Sequence, residues 1–485
     1  MEGDHGIKLL EKLFQILKDE GVLQPKFSDP VIHFKDPEKL LDDFEFTIDN
    51  QGHATPAAIE QICRDVMKYS TKTNHVKFHT FLYGGYDFYG LCASWIIDAL
   101  NTIPMTYDVA PVFSLMEDVV IKKLLNLYGI NDGDGIFTPG GSMATLYAMT
   151  LARFKKYPES KKTGIFNQKP LVCFTSKEAH FCIDKGANWL GIGEENVIVI
   201  ETNEKGEMIL KDLEEEVIKS ISEGKVPFFV QATCGTTVLG AYDDLRGLAM
   251  ICQKYGMWLH ADGCYGGQVI FSKKYKYLMI GSELADSISY CPQKMGGAPL
   301  QCAVFLTKYK GLLLECNKTG AGYVFATEKY YSTCYDTGDK SVQCGKKVDA
   351  FKLWLILKAR GLDAFEEITV NIFESAKYLS DLIKSRDGFR LVVDNQASPS
   401  ICFWYIPKNL RGTTENPEFW SKIDKITTII SSTLVKSGRQ MIGYSKLPKK
   451  HSANFFRVAL VGYPRPSKES MDSIVNEIES VGDKL

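Results

Sequence analysis

Between about residues 81 and 355, short apolar runs alternate with amphipathic segments, and this alternation restricts the possible folds more than any other feature of the chain. PLVCFT (170–175) precedes a helical pattern from about His180. NVIVIET precedes DLEEEVIKSISEG, VPFFVQAT precedes DLRGLAMICQKYG, and MWLHAD follows. Strand-length runs separated by helical stretches imply a mostly parallel sheet covered by helices on both faces. Ligands in such sheets lie beyond the carboxyl ends of the strands, so the loops after these runs are where chemistry is expected.

Two of those loops carry complementary groups. MWLHADG places Asp262 at the end of one run, and ADSISYCPQKMGGAPL (285–300) places Lys294 between a strand-like run and a glycine pair. A lysine amine and a strand-end carboxylate suit pyridoxal phosphate chemistry: the amine takes the cofactor, and the carboxylate keeps the pyridine nitrogen protonated. Either residue alone reads equally as a solvated surface charge. A third loop, TPGGSMATLYAMTL (138–151), sets Gly140, Gly141, Ser142 and Met143 at the start of a helical pattern. Free N–H groups and the positive end of a helix form an anion site there, or the glycines simply turn the chain. His180 opens a helical segment and reads either as a ring-stacking imidazole or as a histidine satisfied by local backbone. Thr233, before a Gly-Thr-Thr turn, lies at a ring's edge or in a plain turn.

Composition narrows the class. With 485 residues, 45% hydrophobic and 24% charged, the chain is globular and long enough for two or three domains. A net charge of -2 gives no electrostatic argument for nucleic acid or for an anionic membrane surface. Thirteen cysteines without a CxxC pair, and a start (MEGDHGIKLL) without a secretory pattern, lead us to expect a reduced, cytoplasmic protein. No uncharged apolar run approaches the roughly 18 residues of a membrane span, and no metal site is expected. Residues 1–80 read as a helical segment packing on a dimer partner, on the main domain, or as a plain surface helix. Residues 81–355 read as the large cofactor domain and 356–485 as a smaller α+β domain, with FRLVVD, SICFWYIP and NFFRVALVGYP as strands.

PGGSMATLYAM, TSKEAHFCIDKGA, QATCGTTVLGAYDDL, WLHADGCYGG, DSISYCPQKMGGAPLQC, YDTGDKSVQCGKKVD, CFWYIPKNLRG and ANFFRVAL resemble, in order, the motifs of the group II pyridoxal phosphate decarboxylases. The most similar branch holds the glutamate, cysteine sulfinate and aspartate 1-decarboxylases. The resemblance implies the aspartate aminotransferase-like fold (fold type I), pyridoxal 5'-phosphate as cofactor, and a homodimer with shared active sites. It assigns Lys294 to the lysine that carries the cofactor, Asp262 to the pyridinium partner, and His180 to the ring-stacking histidine. Ser142 with its neighbours Gly141 and Met143 matches the phosphate cup, Arg457 the arginine that holds the substrate α-carboxylate, and Tyr331 the mobile-loop tyrosine that protonates the carbanion. Arginine's fork fits a carboxylate, and a loop phenol can exclude water and give a proton.

The chain leaves the family pattern at the site itself. Where the family has Asn-Pro-His-Lys, this chain has Cys291, Pro292, Gln293 and Lys294, and after Asp262 the usual Ala-Ala-Trp is Gly263, Cys264 and Tyr265. Two phosphate partners are thereby altered. In the substrate pocket, where Thr80, Phe81, Ile103 and Met105 fall, the family amides give way to Phe81 and Ile103. Burying a substrate's side-chain carboxylate without such partners costs on the order of 3–6 kcal/mol. The expected reaction is α-decarboxylation of an L-amino acid to the amine, with an acidic substrate by resemblance. A neutral or aromatic substrate, aldehyde-forming oxidative decarboxylation, or a catalytically silent protein of the same fold are the alternatives.

Overall fold

The computed structural model describes residues 2–48, 50, 52, 55–326, 328–394, 397–447 and 452–485. Its strands in chain order are β1 (Phe78–His79), β2 (Asp134–Thr138), β3 (Leu171–Ser176), β4 (Val197–Ile200), β5 (Val226–Thr233), β6 (Trp258–Gly263), β7 (Ser287–Tyr290), β8 (Ala303–Thr307), β9 (Phe389–Leu391), β10 (Ser400–Tyr405), β11 (Met441–Ser445) and β12 (Phe455–Ala459). The chain divides into two compact units. One gathers Met1–Gly85, Ser375–Gln396 and Ser400–Leu485; the other comprises Tyr86–Glu374 and Ala397–Pro399.

The first unit holds a five-stranded sheet in the order β1-β11-β12-β10-β9. SICFWY and FFRVA, rich in aromatic and β-branched residues, form its two central antiparallel strands, as their pleat-filling side chains favour. β1 joins β11 in parallel, Phe78 opposite Met441. Helix Pro417–Lys436 packs on this sheet; it starts with a proline in its first turn, and the Asn416 side chain accepts from Phe419 N at 2.9 Å. The expected amino-terminal helix is present as Glu2–Asp19. It buries Ile16, while Ile7, Leu10 and Phe14 stay exposed.

The second unit holds a seven-stranded sheet in the order β2-β8-β7-β6-β5-β3-β4. All of its pairings are parallel except those of β8 with β2 and with β7. Since side chains alternate along each strand, register puts Thr175, Gln231, His260 and Ser287 on one face, with Thr233, Asp262 and Ser289 two residues further along their strands. The same face carries Cys173, Phe229 and Trp258 at the amino ends, and helix Gly141–Lys156 covers it through Ala144, Tyr147, Ala148, Leu151 and Ala152. Polar residues therefore gather at the carboxyl ends of the strands and apolar ones at the amino ends. The expected mostly parallel α/β fold is the one observed. Among the described residues no helix is long and apolar enough to cross a membrane.

Candidate active site

Asp262 is the centre of the polar end of this face. Its Oδ1 accepts from Ser289 Oγ at 3.0 Å and from Cys264 N at 3.1 Å, and its Oδ2 faces Gln231 Nε2 at 3.5 Å. Burial pushes the carboxyl up, but the Lys294 ammonium, the His260 ring and the Cys264 donors more than offset that and hold it below the usual carboxylate range. For Lys294, burial lowers the amine while the facing Cys264, Cys291 and Asp262 raise it, with a net rise. The hydrogen bond with Cys291, together with burial, pushes the Cys264 thiol well up. That thiol is neutral at ordinary pH, so the charge Lys294 meets there is Asp262.

The glycine loop meets the same cluster. Gly140 has φ +93°, a conformation glycine adopts without strain, and helix Gly141–Lys156 begins one residue later. Its first N–H groups, on Gly141, Ser142 and Met143, have no partner within the helix. A Cβ added at Gly141 would run into Cys264 Sγ and lie 3.2 Å from Cys291 Sγ, whereas one at Gly140 would meet nothing within 4 Å. Gln293 Oε1 accepts from Cys302 N at 2.5 Å, which leaves its amide NH₂ as a donor. His180 is half-buried and electrostatically coupled to Asp262 and Lys294. Burial, and then the two lysines 294 and 185, hold its ring below the usual histidine range. Its Nδ1 accepts from Cys182 N at 3.2 Å, so the neutral ring carries its proton on Nε2. Thr233 stands opposite Asp262 in the sheet; its N–H donates to Asp243 Oδ2 at 2.7 Å, and its buried hydroxyl has no protein partner.

The other candidates fall into two further clusters. Tyr331, Ile103 and Met105 belong to a pair of cross-bound loops in the second unit, where Gly338 N donates to Met105 O at 2.9 Å and Tyr107 N to Asp336 Oδ1 at 2.8 Å. The Tyr331 hydroxyl lies 3.0 Å from Asp108 Oδ1, 2.9 Å from Asp336 Oδ1 and 2.8 Å from Lys329 Nζ. Arg457, Thr80 and Phe81 are in the first unit. The Arg457 guanidinium donates to the Thr80 carbonyl, and Phe81 stacks with Phe78 and Tyr83 at ring distances of 6.3 and 5.7 Å. Ser289, Gln231 and His260 were missed in the sequence; strand alternation counted back from Asp262 points to His260, whereas Ser289 and Gln231 come from the neighbouring strands β7 and β5.

Comparison with known proteins defines the class first. Residues 37–406 match the pyridoxal-dependent decarboxylase conserved domain. The crystal structure of mouse CSAD in apo form superposes with a TM-score of 0.94 at 41% identity, covering 99% of each chain. The fold is that of the pyridoxal phosphate enzymes of fold type I. The cysteine sulfinic acid decarboxylase of Mus musculus is 42% identical over 98% of this chain and 96% of its own length. The acidic amino acid decarboxylase GADL1 of Homo sapiens is 41% identical over 98% and 91%. The chain belongs to the pyridoxal-dependent decarboxylases, and it is an amino-acid carboxy-lyase that uses pyridoxal phosphate.

The residues fit that cofactor. Besides Lys294 and Asp262, the hydroxyls of Thr175, Ser176 and Thr233 are buried at the carboxyl ends of β3 and β5 without protein partners. A polar ligand at this end would satisfy groups that the protein leaves open. Among the described residues no cluster of three or more His, Cys, Asp or Glu side chains could hold a metal ion.

Proposed function

We propose that the chain decarboxylates an acidic L-amino acid of the aspartate, cysteine sulfinate or glutamate class, releasing carbon dioxide and the amine. The observation that carries the reaction is the Asp262 carboxylate, buried at the carboxyl ends of the strands, bonded by Ser289 and Cys264 and held in its charged form by the Lys294 ammonium. The printed names of the relatives, and nearly complete coverage by them, support the acidic class. Pyridoxal phosphate, when bound, supplies the sink for the electron pair left by carbon dioxide. In this reading Lys294 holds the cofactor, Asp262 keeps a proton on its ring nitrogen, and the neutral His180 ring stacks against it. The N–H groups of Gly141, Ser142 and Met143, with Thr233, Cys291 and the Gln293 amide, line its phosphate and edge. Arg457 binds the substrate's α-carboxylate, and the Tyr331 hydroxyl delivers the proton to Cα.

A second reading, a neutral or aromatic substrate, is favoured by the half-exposed Phe81 in its aromatic stack and by Ile103 in place of an amide. The two separate in one assay. Carbon dioxide release is measured for every proteinogenic amino acid and for cysteine sulfinate, with aldehyde and peroxide followed beside it. The acidic reading expects cysteine sulfinate or aspartate to turn over fastest; an aromatic or aliphatic amino acid turning over about tenfold faster replaces it with the second.

We further propose a cytoplasmic homodimer. All thirteen cysteines are free thiols, in keeping with a reducing compartment. Trp95 and Ile96, on helix Phe88–Leu100, and Val112 and Val119, on helix Pro111–Leu127, are exposed in the single chain, which supports burial against a second copy.

A further inference from the structure

The amino ends of β5 and β6, opposite to the ends that carry Asp262, border a second cleft of about 610 Å³. Lys155 and Lys156, the last residues of the helix that begins at Gly141, form one wall. Met250 and Leu284 line it with apolar surface, 68% and 45% exposed, while the Trp258 ring is buried at its floor beside Tyr309.

The charges in this cleft do not close among themselves. Asp286 is fully engaged: Oδ2 accepts from Leu259 N at 2.7 Å, while Oδ1 takes the Tyr309 hydroxyl at 2.6 Å and the Lys308 ammonium at 3.0 Å. The remaining acid of the lining is Glu283, which is exposed. Lys155 lies over the Tyr309 ring at 3.4 Å and 5.7 Å from that of Trp258, and Lys156 reaches only the Gly256 carbonyl at 3.3 Å. Neither ammonium has a carboxylate within ion-pair distance among the described residues, and Asp286, whose charge is felt at Lys155, is already engaged by Lys308 and Tyr309. Burial pulls both amines below the usual lysine range, a penalty that an anion would relieve. Neither is directed at the last carbonyls of its own helix, the ordinary reason for basic residues at a carboxyl terminus.

We propose that this cleft binds a small organic anion with an apolar body, its head taken by Lys155 and Lys156 and its body by the exposed Met250 and Leu284. Methionine at the rim adapts to irregular contacts and so accommodates such a body. The proposal is independent of which amino acid is decarboxylated.

The test uses the holoenzyme with 2-naphthoate as probe and uncharged 2-naphthamide as control. Lysine acetylation is read by mass spectrometry with and without probe, and affinity is measured by calorimetry. Naphthoate is expected to protect Lys155 and Lys156 and not the remote surface residue Lys211, and to bind about tenfold or more tightly than the amide. A Lys155→Gln/Lys156→Gln variant is expected to lose about tenfold in affinity at an unchanged melting temperature. Equal protection of all three lysines, equal binding of acid and amide, or undiminished binding by the double variant would each overturn the proposal. Because footprinting reads the wild-type protein, a variant that fails to fold does not remove the test.

Discussion

The two ends of one sheet face differ in how they meet charge, although the same helix, Gly141–Lys156, covers both. At the carboxyl ends a single carboxylate, Asp262, is held ionised by Lys294 and three neutral donors, while the helix offers unpaired N–H groups and open room at Gly140. At the amino ends the carboxylate, Asp286, is saturated by the protein, and the helix ends in two ammonium groups with no carboxylate within ion-pair distance among the described residues. One end is built around a charge the protein needs, the other around charges it leaves unmatched. The difference teaches that burial alone does not fix a group's state; its partners do. Asp243 shows the same from a third position. It has two backbone donors and no cation, and burial outweighs those bonds to push its carboxyl up to about 7.

Removing the cation should erase the contrast. Lys294→Ala takes away both the amine and the charge that holds Asp262 down, and turnover is expected to fall by at least about 10³-fold in a carbon dioxide assay. Asp262→Asn keeps the shape and deletes the charge. A loss of about 10²–10³-fold is expected, together with an altered absorption spectrum of the bound cofactor. A variant retaining full activity at either position would break the comparison outright.

Between the two ends sits His260, stacked with Phe229 and Phe305 and bonded through Nδ1 to Ser287 Oγ at 2.8 Å. Trp258 Nε1 also donates to that oxygen at 2.8 Å. Burial pushes the His260 ring down to about 4. The unfolded histidine titrates near 6.5, so between these values the unfolded chain binds more protons. Its contribution is complete above about pH 6.5 and is lost as pH falls toward 4, by up to about 3 kcal/mol. Urea unfolding at pH 7.5 and 4.5 should show that loss, and His260→Asn should show less of it. An identical pH slope in the variant removes His260 from the account.

Smaller effects sharpen the contrast. Gly141→Ala should push against Cys264 and weaken cofactor affinity by about tenfold, measured by titrating the apoenzyme with pyridoxal phosphate. Lys155→Gln/Lys156→Gln should leave turnover within about twofold of wild type, because the carboxyl end does not use those charges.

The alternation of strand-like and helical runs carried the parallel sheet into view, and the loop positions of Asp262 and Lys294 located the polar end. Those signals are local, and period alone reveals them. Contacts set by register were not visible: the Ser289 and Gln231 bonds to Asp262, and the nearness of Cys264 to Cys291 beneath Gly141, depend on which strands are neighbours. The short strand β1 was not legible either. Phe78 and His79 sit between polar and glycine-rich stretches, and their partner Met441 lies far along the chain. The amino-end cleft left no motif, since its lysines and aromatic residues come from separate segments.

That distant pairing bears on how the protein is made. Phe78 meets Met441 and the Arg457 guanidinium meets the Thr80 carbonyl, so the first 85 residues leave the ribosome long before the strands that complete their sheet. Residues 86–374, synthesised in between, hold every strand of the seven-stranded sheet and can fold while that early segment waits. During that interval Ile16 of helix Glu2–Asp19, buried in the folded chain, is open beside the exposed Ile7, Leu10 and Phe14, and chaperone capture during synthesis should concentrate there.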